Sequence, residues 1–175
     1  MRVLLIGGTS NVGKSTVARV LARRLRFEYV STDRLGRHPG RPWPDPPAHV
    51  VEHYRSLTTG ELLDELLAHY ARMQPRIEEL VAQSAGLVLE GSGVWPPYVT
   101  APAVWLTADE ALITTRIHDS SQYTALPADR RHLVDKFVAR SLAYQTRLLT
   151  HAPPSLDVTK PRTPDELANE LLNLC

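Results

Sequence analysis

Cysteine is almost missing from this chain. Cys175 is the only one, so neither an internal disulfide framework nor a cysteine-rich zinc site can be built, and a reducing compartment fits. An excess of one charge is missing too. Lysine and arginine total 20 against 19 for aspartate and glutamate, which leaves no global positive field to gather nucleic acid or an anionic membrane. Any anion binding must therefore be local. No apolar run approaches the roughly 20 residues of a transmembrane helix, and the run 3–6 is far too short for the apolar region of a signal peptide. The expectation is a cytoplasmic protein, monomer or homodimer, without nucleic-acid or membrane partners. None of the seven histidines is read as a zinc ligand. A length of 175 residues suffices for one core of ordinary size, and a single domain over 1–175 is expected.

What is present is an alternation of strand and helix signals. Residues 2–6 form a short apolar run ending in Gly7-Gly8, which predicts a buried parallel strand feeding a glycine turn. Val17, Val20, Leu21 and Leu25 recur at helical spacing over 14–25, with arginines on the other face. A second strand spans 27–31. Five of the nine residues in 39–47 are proline, which excludes a regular helix or a central strand there. Thr58-x-x-Glu61 is a capping box opening a long helix to about residue 83, with Pro75 as a possible kink. Strands follow at 86–90 and 103–107, then a second capping box, Thr107-x-x-Glu110. Helices over 108–117 and 127–150, a short strand at 155–158 and a last helix from Thr163-Pro164-x-Glu166 complete the pattern. Such alternation predicts a parallel sheet covered on both faces, with ligands at the carboxyl ends of the strands.

Gly8-Thr9-Ser10-Asn11-Val12-Gly13-Lys14-Ser15 fits G-x-x-x-x-G-K-S/T without a gap. The spacing has a chemical reason. Gly8 and Gly13 let successive amide N–H groups converge on phosphate oxygens beside a helix N-terminus, where the dipole also favours an anion. Lys14 would reach the β- and γ-phosphates, and the Ser15 hydroxyl would ligate Mg²⁺. Thr16, next in the chain, is counted with this loop but read as structural. With Gly at about 7% of residues, a chance match in a chain this long is on the order of one per cent, and the strand before and helix after reduce it further.

GGTSNVGKST, the strand ending in STD and the strand ending in EG together resemble the P-loop kinases of small metabolites, most closely the 2-phosphoglycerate kinase-like and chloramphenicol phosphotransferase-like groups. The resemblance is strong over 2–33, weaker at 86–91 and loose around 136–147. It implies a P-loop three-layer sandwich with a five-stranded parallel sheet, the phosphate-loop strand central, a helical lid over 116–150, and transfer of the γ-phosphoryl of ATP–Mg²⁺ to a hydroxyl. In such kinases a carboxylate after the second strand accepts the proton of the attacking hydroxyl, and Asp33 matches that position; a turn-capping role is its structural alternative. Asp33-Arg-Leu-Gly36 also spells D-x-x-G, but GTPases carry that motif after a later strand. Glu90, closing the third strand, can hold Mg²⁺ through water or orient a substrate hydroxyl, or be a solvated strand end.

Charge on the transferring phosphoryl needs cationic cover away from water. Lys136, Arg140 and Arg147 share one helix face at 100° per residue, and Arg116 and Arg140 are the preferred lid pair; a solvated surface stripe is the alternative. Lys160 and Pro161, in Thr159-Lys160-Pro161-Arg162 after the fifth strand, stand where the base is held in this class. Arg162 replaces the guanine-recognising aspartate of N/T-K-x-D, which favours ATP over GTP. Residues 34–57 form a candidate substrate loop, with Arg34, Arg37, His38, Arg41 and Trp43 just downstream of Asp33. Its cations suit an anionic acceptor and Trp43 a ring or sugar face; Trp95 is a candidate pocket wall. The other readings are a nucleotide-dependent switch without a small-molecule acceptor, and a nucleoside monophosphate or nucleotide-sugar kinase.

Overall fold

A six-residue strand that is buried from end to end can only be central, and β1 (Val3–Gly8) is both. A computed structural model describes residues 2–174, so the only cysteine, Cys175, lies outside the described residues. β1 pairs in parallel with β3 (Leu87–Glu90) on one side and with β4 (Ala103–Thr107) on the other. β2 (Glu28–Ser31) extends the sheet beyond β3, and β5 (Ser155–Asp157) beyond β4. The order is β2-β3-β1-β4-β5, all parallel. Alternation along β1 sends Leu4 and Ile6 to one core and Val3 and Leu5 to the other.

The Leu4 side is covered by α1 (Lys14–Leu25), α4 (Glu110–Ser121) and α6 (Pro164–Leu174), through Val17, Leu21, Ile113, Ile117, Ala168 and Leu171. The Leu5 side is covered by α3 (Thr59–Gln83), whose Leu63, Leu66, Tyr70, Met73 and Ile77 follow the predicted helical spacing. The second half of α5 (Ala128–Leu149) joins it with Tyr144 and Leu148. The result is the three-layer α/β sandwich expected, with the phosphate-loop strand in the middle.

Two predicted caps hold. Thr58 accepts from the Glu61 amide while the Glu61 carboxylate accepts from the Thr58 amide at 2.8 Å, and Thr163 and Glu166 repeat the reciprocal pair at the start of α6. α3 runs through Pro75 without ending. The third cap is a correction. Thr107 is still in β4, paired with Asp157, so Asp109 opens α4 instead, its carboxylate accepting from the Leu112 amide at 2.7 Å. That helix also outruns the expected end at 117, closing at Gln122 in the left-handed region. A further departure is α2 (Ala48–Ser56), which lies inside the predicted loop 34–57. Its Val50 and Tyr54 are buried, and the Tyr54 hydroxyl donates to the Gly40 carbonyl at 3.1 Å, pinning the proline-rich segment to the helix.

Candidate active site: a phosphate loop facing a basic cleft

The turn after β1 needs glycine at its first position. Gly8 has φ of 126°, and a Cβ there would meet the Leu106 carbonyl oxygen at 2.3 Å. From Gly8 the chain crosses Thr9, Ser10, Asn11, Val12 and Gly13 before α1 begins at Lys14. Side chains from distant elements fix this loop. The Thr9 hydroxyl donates to the Ser141 carbonyl of α5 at 2.7 Å, and the Asn11 amide donates to the Arg116 carbonyl at 3.0 Å and to the Ser120 hydroxyl at 2.9 Å in α4. Val12 is buried in the core below, while Ser15 and Thr16 are exposed.

Lys14 is buried and donates to the Thr9 carbonyl. Burial pushes its ammonium down to about 8, against the attraction of Glu90 and Asp33. Glu90, at the end of β3, is 2% exposed. One of its carboxylate oxygens accepts from the Ser15 hydroxyl at 3.0 Å and from the Tyr29 hydroxyl at 2.9 Å. The reading of Glu90 as a solvated strand end is thereby overturned: β3 lies between β1 and β2, and its end faces the loop. Gly91 follows with φ of 145°; a Cβ there would stand 1.8 Å from Thr32 Oγ1, so only glycine lets β3 pass the turn after β2.

Lys14, Ser15, Thr32, Glu90 and Gly91 line a cleft of about 320 Å³ together with Ser10, Asn11, Gly13, Thr16, Asp33, Arg37, His38, Arg41, Tyr70, Ser92, Arg116 and Arg140. Asp33 sits in a short 3-10 turn, its amide donating to the Ser31 hydroxyl at 3.4 Å, and its carboxylate pairs with Arg37 at 2.8 Å. The Arg41 guanidinium donates to Asn11 Oδ1 at 3.4 Å. Burial and the neighbouring Arg37 lower the Arg41 pKa, with Asp33 opposing. Arg116 reaches the loop from α4, donating to the Asn11 carbonyl at 3.4 Å. Arg140 enters from α5 and is 5% exposed. Its guanidinium lies 4.6 Å from the Phe137 ring centroid and 5.3 Å from that of Tyr54, yet Nε and Nη1 have no hydrogen-bond partner.

Several predicted residues are placed elsewhere. Trp43 is buried edge-on against Phe137, centroids 4.8 Å apart, and is not in the cleft lining. Trp95 is buried against Tyr144, at 5.2 Å. Both indoles are core: Trp43 packs among the buried residues on the Leu4 side and Trp95 among those on the Leu5 side. Arg34 points to a separate groove with Arg19, Phe27 and Tyr29. The basic stripe on α5 divides: only Arg140 faces the cleft, while Lys136 donates to the Leu57 carbonyl at 2.6 Å and to that of Arg55, capping α2, and Arg147 is exposed. Lys160 and Pro161 are exposed between β5 and α6, outside the cleft. Arg162 there donates to the Asp157 carbonyl at 2.6 Å and pairs with Glu170 at 3.1 Å, stapling β5 to α6. Sequence reasoning missed Tyr29, Tyr70 and Ser92, which no motif marks. It read none of the histidines as a metal ligand, yet His38, His53 and Glu65 bring their donor atoms within 4.8 Å of one another. His49 and His53 stand four apart on α2, but the residue that meets His53 is His38, from the loop.

Among the described residues no helix is long and apolar enough to cross a membrane. No family model matches the chain, and no curated protein matches it in sequence. Solved structures do match over nearly its whole length. Shikimate kinase from Bacteroides thetaiotaomicron superimposes with a TM-score of 0.60 at 17% identity, over 99% of this chain and 97% of that one. A gluconokinase from Sinorhizobium meliloti 1021 gives 0.53 at 17% identity, covering 99% and 90%. Deoxyadenosine kinase from M. mycoides, solved with bound dATP, gives 0.50 at 13% identity, covering 99% and 100%. At these identities the likeness is one of fold: the chain has the phosphate-loop α/β sandwich that these small-molecule kinases share.

Proposed function

We propose that the protein is an ATP-dependent phosphotransferase that moves the γ-phosphoryl of ATP to a hydroxyl of a small molecule. One observation carries the reading: the buried Arg140 guanidinium, with two unpartnered nitrogens, shares a cleft with a complete phosphate loop and with Asp33. A buried cation with unmet hydrogen bonds is costly unless an anion completes it, and a phosphoryl group on the loop is such an anion.

The roles follow from chemistry. The loop amides and Lys14 hold the β- and γ-phosphates. Ser15 and Glu90 present hard oxygen donors side by side, the kind Mg²⁺ selects, and would hold the ion, which would supply charge neutralisation to the phosphates. Asp33 accepts the proton of the acceptor hydroxyl, Arg37 orients that carboxylate, and Arg140 with Arg116 covers the equatorial oxygens as negative charge develops. The positive charges of Arg37 and Arg41 in the cleft lining suit an acceptor carrying an acidic group. Lys160 and Pro161, exposed beyond the cleft, would flank the base only at its outer edge, and a cytoplasmic location goes with the use of ATP. The finer likeness to 2-phosphoglycerate kinase-like and chloramphenicol phosphotransferase-like proteins rests on residues 2–33 and 86–91 alone; the folds of shikimate kinase and gluconokinase support a small hydroxylated acceptor more broadly.

The test is ADP release from ATP–Mg²⁺ across a panel of hydroxy acids, sugars, nucleosides and aminoalcohols. Stimulation by one acceptor class is expected. Slow release that no compound stimulates, changing only with protein conformation, would instead support a nucleotide-driven switch.

A further inference from the structure

Beside the cleft, three segments far apart in sequence bring imidazole and carboxylate together. His38 comes from the proline-rich loop, His53 from α2 and Glu65 from α3. One oxygen of Glu65 stands 3.2 Å from His38 Nε2 and 3.5 Å from His53 Nδ1. The two imidazoles meet edge to face, centroids 5.1 Å apart. His69, one turn beyond Glu65 on α3, stacks on His38 at 5.3 Å. This density of nitrogen donors is not used by the phosphate chemistry, which takes hard oxygen ligands.

We propose that His38, His53 and Glu65 form a binding site for a transition-metal ion of the zinc class, which fastens the loop carrying Arg37 and Arg41 to α2 and α3. A tetrahedral zinc with bonds of about 2.0–2.2 Å sets its donors about 3.3–3.6 Å apart, and the Glu65–His38 and Glu65–His53 separations, 3.2 and 3.5 Å, fall close to that edge length. Two imidazoles and one carboxylate select zinc, cobalt or nickel over magnesium, so the ion that accompanies ATP does not compete for the site. His53 is mostly buried and Glu65 about half exposed, with side-chain exposures of 13% and 48%, which gives the ion a wall and an entry path. The function is positional. Arg37 pairs with Asp33 one residue before His38, so fixing His38 fixes the cationic rim of the cleft.

The experiment is a calorimetric titration of tag-free, chelator-stripped full-length protein with Zn²⁺, with Co²⁺ as the spectroscopic probe. The expected result is one ion per chain, a visible band of four-coordinate cobalt and a raised melting temperature. Glu65→Gln and His53→Gln should each weaken zinc by more than the roughly 10–100-fold that losing a ligand's hydrogen-bond partner costs, and His49→Gln, on the same helix but outside the cluster, should bind as the wild type does. Glu65→Gln changes a half-exposed side chain, so circular dichroism identical to wild type is expected and keeps that arm valid if His53→Gln fails to fold. Wild-type protein that shows no saturable binding, or binding that survives Glu65→Gln, would overturn the proposal. No nucleotide or acceptor enters the titration, so its outcome stands apart from that of the kinase reading.

Discussion

At the scale of single residues, the Lys14 ammonium has its pKa lowered to about 8 by burial, with Glu90 and Asp33 pulling the other way. Phosphate oxygens on the loop favour the charged form, so binding ATP raises that pKa, and above about 8 the protein must take up a proton to bind. The affinity for ATP–Mg²⁺ should therefore hold below pH 8 and fall above it, by up to about tenfold per unit. Calorimetry in buffers of different ionisation enthalpy would register both the loss and the proton; an affinity flat across this range would remove Lys14 from the phosphate site. Arg140→Met should weaken ATP binding and lower turnover by still more, at least about a hundredfold, since its unpartnered nitrogens meet phosphoryl oxygens whose charge grows in transfer; unchanged affinity and turnover would place Arg140 outside the phosphate site. The loop 8–15 was legible because all its chemistry is contiguous. The Ser15–Glu90–Tyr29 network was not, because its members lie 75 and 61 residues apart, and nothing local distinguishes a strand-end glutamate in solvent from one beneath a phosphate loop.

At the scale of elements, hydrophobic spacing found α1, α3 and α5 but missed α2. Nine residues with two buried positions, directly after a proline cluster, give too little periodicity to stand out. The cap at Thr107 failed for a related reason: the Ser/Thr-x-x-Glu pattern is local, whereas the β4–β5 ladder that keeps Thr107 extended is not. Periodicity likewise put Lys136, Arg140 and Arg147 on one face of α5 without showing that α2 would claim Lys136. From this arrangement, Trp43→Ala should cost about 3–5 kcal/mol of stability as a core truncation, read by chemical denaturation. A rise in acceptor KM without loss of stability would instead return Trp43 to the substrate. Lys136→Ala should lower stability by about 1 kcal/mol, the net value of a hydrogen bond, and leave turnover intact, unlike Arg140→Met from the same helix.

Across the whole molecule, alternation of strand and helix was enough for a parallel sheet covered on both faces, and the central place of the phosphate-loop strand agreed with the family resemblance. The closeness of the site depends on the order β2-β3-β1-β4-β5, which sets Asp33, Glu90 and the loop after β1 at neighbouring strand ends. Because the loop is tied to α4 through Asn11 and to α5 through Thr9, a ligand on it should stabilise the whole fold. By linkage, ATP–Mg²⁺ at a hundred times its Kd adds about 2.7 kcal/mol, visible as a higher Tm in the wild type and absent in Lys14→Ala. The most direct measurement is the fate of the γ-phosphoryl of labelled ATP in the presence of a stimulating acceptor, in wild type and in Asp33→Asn. The account predicts label on the acceptor with the wild type, and with Asp33→Asn an unchanged ATP affinity but no transfer. Label recovered only as inorganic phosphate, at the same rate in both proteins, would contradict it.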